Sequence, residues 1–335
     1  MTSASDTRRL LPRTLLGSLL LVWLGVLSNT GRIGSSHYAA AADRPADSAV
    51  RLNKTIALFE SNKPAFGIFS YGRSLRNAVG LSASKLDFVL VDMEHGPVDF
   101  EALQAFFLAM ADKRRALEKG NAQPDVVPMV RLPQNGREQL QFFIKQALDL
   151  GAYGLMLPHI ETGDEALAAV RSARYAQPAG VTDAEPAGQR GVSYGFPARV
   201  WGIPSSRYLR LADVWPHDPR GEILLIFQIE SKRGVENVEQ ILAVPGVGAV
   251  FIGPADLSMS LGVDMNDPRV EQAIERVLKA TQAHGVPCGI TATDATAEQR
   301  LKQGFRFLTL GGDIGPSETA GMALRAARKA SGRDD

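Results

Sequence analysis

The chain has 335 residues, 45% of them hydrophobic and 22% charged, with 37 Lys plus Arg against 36 Asp plus Glu and a formal net charge of +1. That composition excludes a disordered, collagen-like or disulfide-scaffold chain, and the balanced charge offers no basic face to nucleic acid. A single cysteine, Cys288, excludes an intramolecular disulfide and a cysteine-built zinc site.

Residues 1–45 differ in kind from the rest. Arg8, Arg9 and Arg13 form a basic start, 15–27 is an apolar run broken only by Gly17, Ser18 and Gly25, and Ala39-Ala40-Ala41-Ala42 is a small-residue stretch. That order is a charged region, an apolar core and a cleavage site. The apolar run is short against the about 20 residues of a membrane span. The reading is a cleaved export signal and short linker, with a mature chain starting near Ala42–Asp43 in the bacterial periplasm. Arg8-Arg9 resembles a twin-arginine signal, with general secretion as the alternative route. An uncleaved N-terminal membrane anchor is the alternative to cleavage.

Residues 46–335 read as one domain of repeated strand–helix units. After a short leading helix at 52–61, apolar runs fall at 65–70, 88–92, 126–130, 154–157, 223–229, 249–252, 286–290 and 307–310. Amphipathic stretches follow them at 74–83, 99–118, 136–150, 163–174, 233–243, 268–284, 295–303 and 316–330. Strands alternating with helices imply a parallel sheet, and eight such units fit a (β/α)8 barrel better than a doubly wound sheet. The connection 176–221 breaks the rhythm. It is rich in Gly and Pro, carries Tyr194, Phe196, Trp201 and Trp215, and reads as a functional loop or lid, or else as a surface insertion.

A barrel places its chemistry at the C-terminal ends of its strands. Those ends read Asp92-Met93-Glu94-His95-Gly96, Val130-Arg131-Leu132-Pro133, Gln228-Ile229-Glu230, Gly253-Pro254-Ala255-Asp256-Leu257-Ser258 and Gly311-Gly312-Asp313. Taken singly each has a plain structural explanation, Asp256 as a helix cap for example. Together they supply carboxylates, an arginine, a histidine and an amide at one mouth. Glu230 and Asp256 come from adjacent strands and can converge on a hard dication, Mg2+ or Mn2+, with Co2+ also possible. Gly311-Gly312 is a tight turn or an anion site. No lysine stands at a comparable strand end, which argues against Schiff-base chemistry, and Lys145 and Lys232 read as helix or loop surface. Asn53-Lys54-Thr55 is formally a glycosylation sequon.

These motifs, in this order and spacing over roughly residues 50–330, resemble the HpcH/HpaI aldolases, whose type members cleave 4-hydroxy-2-oxoheptanedioate and which are more distantly related to citrate lyase β subunits. The resemblance implies a (β/α)8 barrel of the phosphoenolpyruvate/pyruvate-binding type and a metal-dependent aldolase. Carried over residue by residue, it implies Glu230 and Asp256 as metal ligands and His95 as catalytic histidine with Asp92 as its orienting partner. It further implies Arg131 as the active-site arginine, Gln228 as the active-site glutamine, and the backbone amides of Ala255 and Asp256 as binders of the pyruvate carboxylate. It also implies a homo-oligomer, commonly a hexamer, with C-terminal helices packing between subunits; Ala320, Met322, Ala323, Leu324, Ala326 and Ala327 offer a small-residue face for that. The export signal, the lengthened segment around 113–125 and His159, where valine or methionine is commoner, depart from the pattern.

Such an enzyme interconverts a 4-hydroxy-2-oxo acid with pyruvate and an aldehyde. The hydroxyl proton must leave and the enolate must be stabilised, tasks for an imidazole that takes up and returns protons near neutrality and for the fixed charge of Arg131. Two other readings are an exported 2-oxo-acid-binding protein without turnover and a different enolate lyase, decarboxylating oxaloacetate or cleaving as citrate lyase does.

Overall fold

The structure is a computed structural model that describes residues 50–133, 140–177, 180–181, 184–313 and 317–333. The predicted export signal, with its arginine pair and its expected cleavage site, lies outside the described residues, as does the start of the predicted helix 136–150. No helix among the described residues is long and apolar enough to cross a membrane.

Each predicted apolar run becomes a strand because its backbone pairs on both edges while both of its faces are covered. In chain order these are β1 (Ala65–Ser70), β2 (Phe88–Asp92), β3 (Val127–Arg131), β4 (Gly154–Leu157), a short unforeseen β5 (Val214–Trp215), β6 (Ile223–Ile229), β7 (Ala249–Ile252), β8 (Cys288–Thr291) and β9 (Phe307–Gly312). All pairings are parallel. The order β1-β2-β3-β4-β6-β7-β8-β9 closes through the β9–β1 and β4–β6 pairs, so the (β/α)8 barrel is as expected, and β5 only extends the start of β6.

The interior is filled by setting large residues against small ones. Phe88 and Phe307 stack with centroids 4.1 Å apart. Gly67 and Gly289 lie against these rings; a Cβ at Gly289 would come within 2.8 Å of both Phe251 and Phe307. Several outer helices start where a side chain satisfies their free amides: Asp99 caps Phe100–Met110, Thr162 caps Gly163–Ala173, and Asp267 caps Pro268–Ala283. The predicted helices 99–118 and 233–243 are each split in two, at 111–112 and at Asn237.

The N-terminal ends of the strands are closed by buried polar contacts. Asn53 is 0% exposed, caps Lys54–Glu60 and donates to the carbonyls of Tyr153 and Glu222. Its sequon is therefore buried structure. Asp87, also fully buried, accepts from both terminal nitrogens of Arg333 at 2.8 Å and pairs with Lys54 at 2.9 Å.

One expectation changes. The 176–221 connection contains the helices Gly195–Trp201 and Ser205–Leu211. Trp201 stacks on Tyr153 at 4.4 Å and donates to the carbonyl of Gly151, Arg174 pairs with Asp213, and Tyr208 is fully buried. Its anchors therefore lie at the N-terminal end of β4, opposite the mouth, and from Gly195 onward this segment is packed scaffold with no role as a lid. Part of the small-residue face of Ser317–Ala330 packs on the chain's own barrel wall, with Ala323 1% and Ala327 0% exposed, while Met322 is 44% exposed.

Candidate active site

The C-terminal ends of β2 and β3 build one side of the mouth. Asp92 and Arg131 are their last residues and lie directly opposite in register. Arg131 Nε donates to Asp92 Oδ1 at 3.0 Å and its Nη2 donates to Oδ2. Nη1 pairs with Glu94 Oε2 at 3.0 Å, and the guanidinium lies 4.2 Å above the Phe69 ring. Arg131 is 6% exposed and gripped on three sides, so its planar fork is fixed before any ligand arrives.

Asp92 does not do what the resemblance implied. Its Oδ1 also accepts the backbone N–H groups of Glu94 at 2.9 Å and His95 at 3.3 Å. It therefore positions Arg131 and the turn after β2, and not the His95 imidazole. That ring is 56% exposed, and its contact is Nε2 to Glu94 Oε2 at 3.6 Å. Glu94 was visible in the sequence only as part of the motif. Its carboxyl is pushed up to about 7, chiefly by burial and further by the charges of Asp92 and Asp256, with Arg131 opposing.

β6, β7 and the β4 turn build the other side. Gln228 and Glu230 are two residues apart and share a face. Gln228 Nε2 donates to Glu230 Oε2, while the buried Gln228 Oε1 has no hydrogen-bond partner among the described residues. Glu230 is 1% exposed and its carboxyl is pushed up to about 8: burial raises it most, and Glu94 and Asp256 add to that against the Gln228 hydrogen bond. Gly253, at the end of β7, leaves room for this carboxylate, because a side chain there would overlap Glu230 Oε2. Helix Pro254–Leu261 then begins; Leu257 N–H is bonded back to Gly253 at 3.0 Å, which leaves the earlier amides of Ala255 and Asp256 without an intrahelical acceptor.

His159, noted in the sequence only as a departure, closes this side. It follows β4 by two residues with a φ of 52°. Its N–H donates to Glu230 Oε1 at 3.0 Å and its Nε2 lies 3.3 Å from the same oxygen. One ligand atom each from His159, Glu230 and Asp256 lie within 4.8 Å of one another. An imidazole, two carboxylates and an unsatisfied amide oxygen beside them form a donor set that suits a divalent cation.

The remaining candidates fall outside this centre. Asp313 is engaged by Ser70 Oγ at 2.6 Å, Tyr71 N–H at 2.8 Å and Asn77 Nδ2 at 2.6 Å, so the chain's own carboxylate binds the amides near the Gly311 turn. Lys232 is exposed and Lys145 pairs with Asp149, as read from the sequence. A cavity of about 170 Å³ lined by Phe107, Val126, Tyr153 and Trp201 sits at the opposite end of the barrel, remote from these groups.

Comparison with known proteins agrees with this fold. The profile of the HpcH/HpaI aldolase/citrate lyase family matches residues 65–317. A hydroxypyruvate/pyruvate aldolase of Paraburkholderia phytofirmans is 36% identical over 270 residues, 80% of this chain and 92% of that one. A 5-keto-4-deoxy-D-glucarate aldolase of Salmonella paratyphi A is 33% identical over 272 residues, 80% of this chain and 94% of that one. The crystal structure of an HpcH/HpaI aldolase/citrate lyase family protein from Burkholderia cenocepacia superposes with a TM-score of 0.65 at 35% identity, covering 82% of this chain and 96% of that one.

Proposed function

Because the chain belongs to the HpcH/HpaI aldolase/citrate lyase family, we propose that it is a metal-dependent aldolase that interconverts a 4-hydroxy-2-oxo acid with a pyruvate-type ketoacid and an aldehyde. The observation that carries the reading is the pairing, across one mouth, of the Glu230 and Asp256 carboxylates with the pre-positioned Arg131. The similar aldolases that act on hydroxypyruvate or pyruvate and on 5-keto-4-deoxy-D-glucarate favour short, hydroxylated substrates.

In the cleavage direction the 4-hydroxyl loses its proton, the C3–C4 bond breaks, and its electron pair moves into the 2-oxo group. A divalent cation at Glu230 and Asp256 supplies Lewis-acid polarisation of that group when bound. Arg131, immobilised by Asp92, presents a fixed positive charge to the oxygen on which negative charge grows. Glu94, with a pKa of about 7, is balanced between accepting and returning the proton, and His95 Nε2, 3.6 Å away, can pass it to solvent. The amides of Ala255 and Asp256 hold the substrate carboxylate at a helix N-terminus. Gln228 Oε1 accepts a donor from the ligand or its water.

Incubating the protein with pyruvate and glycolaldehyde, with and without Mn2+ or Mg2+, tests this. Metal-dependent C–C bond formation that chelation abolishes is expected. Ketoacid binding without turnover under every metal tried overturns it in favour of a binding protein.

The chain is proposed to act after export as a homo-oligomer. The order of residues 1–45 supports export; an intact Met1 in the native protein, read by mass spectrometry, overturns it. Met259, 80% exposed one turn beyond Asp256, supports coverage of the mouth by a second copy; a fully active monomer in light scattering overturns that.

A further inference from the structure

We propose that His159 is a third protein ligand of the cation, and that it biases the site toward a first-row transition ion such as Co2+, Fe2+ or Zn2+ over Mg2+. This rests on the reading of Glu230 and Asp256 as the metal carboxylates and adds a residue that the family resemblance did not supply.

Around a cation with bonds of about 2.1 Å, adjacent ligand atoms lie roughly 3.0–3.5 Å apart. His159 Nε2 is already 3.3 Å from Glu230 Oε1, and an Asp256 oxygen completes a triangle with no side longer than 4.8 Å. Asp256 is exposed on the first turn of its helix, so it is the arm that can close the remaining gap.

A φ of 52° is uncommon outside glycine, asparagine, aspartate and histidine, and for a residue other than glycine it costs on the order of 1 kcal/mol. The turn is held by His159 N–H to Glu230 Oε1 and by Ile160 N–H to the Gln228 carbonyl at 3.2 Å. Both bonds run from the β4 turn to the two β6 residues that build the site. Together they deliver an imidazole, 17% exposed, to the inner wall of the mouth.

Mg2+ prefers oxygen donors and retains its waters, whereas imidazole suits borderline transition ions. Replacing one water by a neutral nitrogen leaves the carboxylate charge unchanged and changes the preference. The buried Gln228 Oε1, without a partner among the described residues and on the same face as Glu230, is placed to accept from a water that remains.

The test uses the full chain freed of metal by chelation and dialysis. Affinities for Co2+ and Mg2+ are measured by equilibrium dialysis on the wild type, His159→Ala and Glu230→Gln. The echo modulation of bound Mn2+ reads out a directly bonded nitrogen. Wild type is expected to bind Co2+ at least about 10-fold tighter than Mg2+. His159→Ala should weaken Co2+ by about 10-fold or more, change Mg2+ by less than about 3-fold and abolish the nitrogen modulation. Metal binding that depends on Glu230 but is indifferent to His159→Ala overturns this proposal and leaves the aldolase reading standing. Absence of any binding in the wild type overturns both.

Discussion

Gly253→Ala is the substitution in which stability and function should separate most cleanly. The backbone of Gly253 has φ −99° and ψ 93°, which alanine adopts without strain. The added methyl would overlap Glu230 Oε2 and lie 3.0 Å from Glu230 Cβ and 3.2 Å from Gln228 Nε2. Carbon atoms rest at about 3.5–4.0 Å, so the carboxylate has to withdraw by ~1 Å. The β6–β7 pairing of Ile229 with Ile252 holds the two backbones in register, so the flexible end of Glu230 yields instead. The fold is expected to lose at most about 1–2 kcal/mol, at the mild end of overpacking. A displacement of that size at a reacting centre costs on the order of 10²-fold in rate. Paired measurements of thermal unfolding and of Mn2+ affinity and turnover check this. Wild-type turnover in a folded Gly253→Ala protein would refute the placement of Glu230 at the centre of the chemistry.

Arg131→Lys should lose roughly 10²–10³ in turnover with the metal retained, because a point charge cannot reproduce the fork held by Asp92 and Glu94; wild-type kcat would refute this. With its carboxyl near 8, Glu230 is protonated in the metal-free protein at neutral pH, so binding must displace that proton. Metal affinity should then rise with pH, by up to about tenfold per unit, until about pH 8; calorimetry in two buffers reads the released proton, and a flat profile between about pH 6 and 8 would refute it. The same raised pKa means that the metal-free fold loses stability as pH climbs from the ordinary carboxylate range to about 8. Asp87 has the opposite sign: burial pushes it up, but Arg333 and Lys54 outweigh that and hold it below its usual range. Its contribution is present at neutral pH and is lost as pH falls through its lowered pKa. Asp87→Asn should cost about 2–4 kcal/mol in a denaturant titration at pH 7, and a loss under about 1 kcal/mol would show the Arg333–Asp87 pairing to be dispensable.

Much of this molecule was legible in its sequence. A strand buried on both faces must be an unbroken apolar run, and an outer helix must be amphipathic, so 65–70, 88–92, 154–157, 223–229 and 249–252 read directly as strands. Arg131, Gln228, Glu230 and Asp256 were legible because a barrel brings strand ends together wherever they stand in the chain. The tertiary structure decided which groups touch. Register between β2 and β3, which no local pattern encodes, gave Asp92 to Arg131 and took it from His95. Segment 176–221 lacked periodicity because its order comes from Trp201, Tyr208 and Arg174 seated in distant partners. His159 gave only the signal of an unexpected residue type: its approach to Glu230 needs a left-handed backbone and the closure of β4 against β6, and both exist only once the barrel has formed.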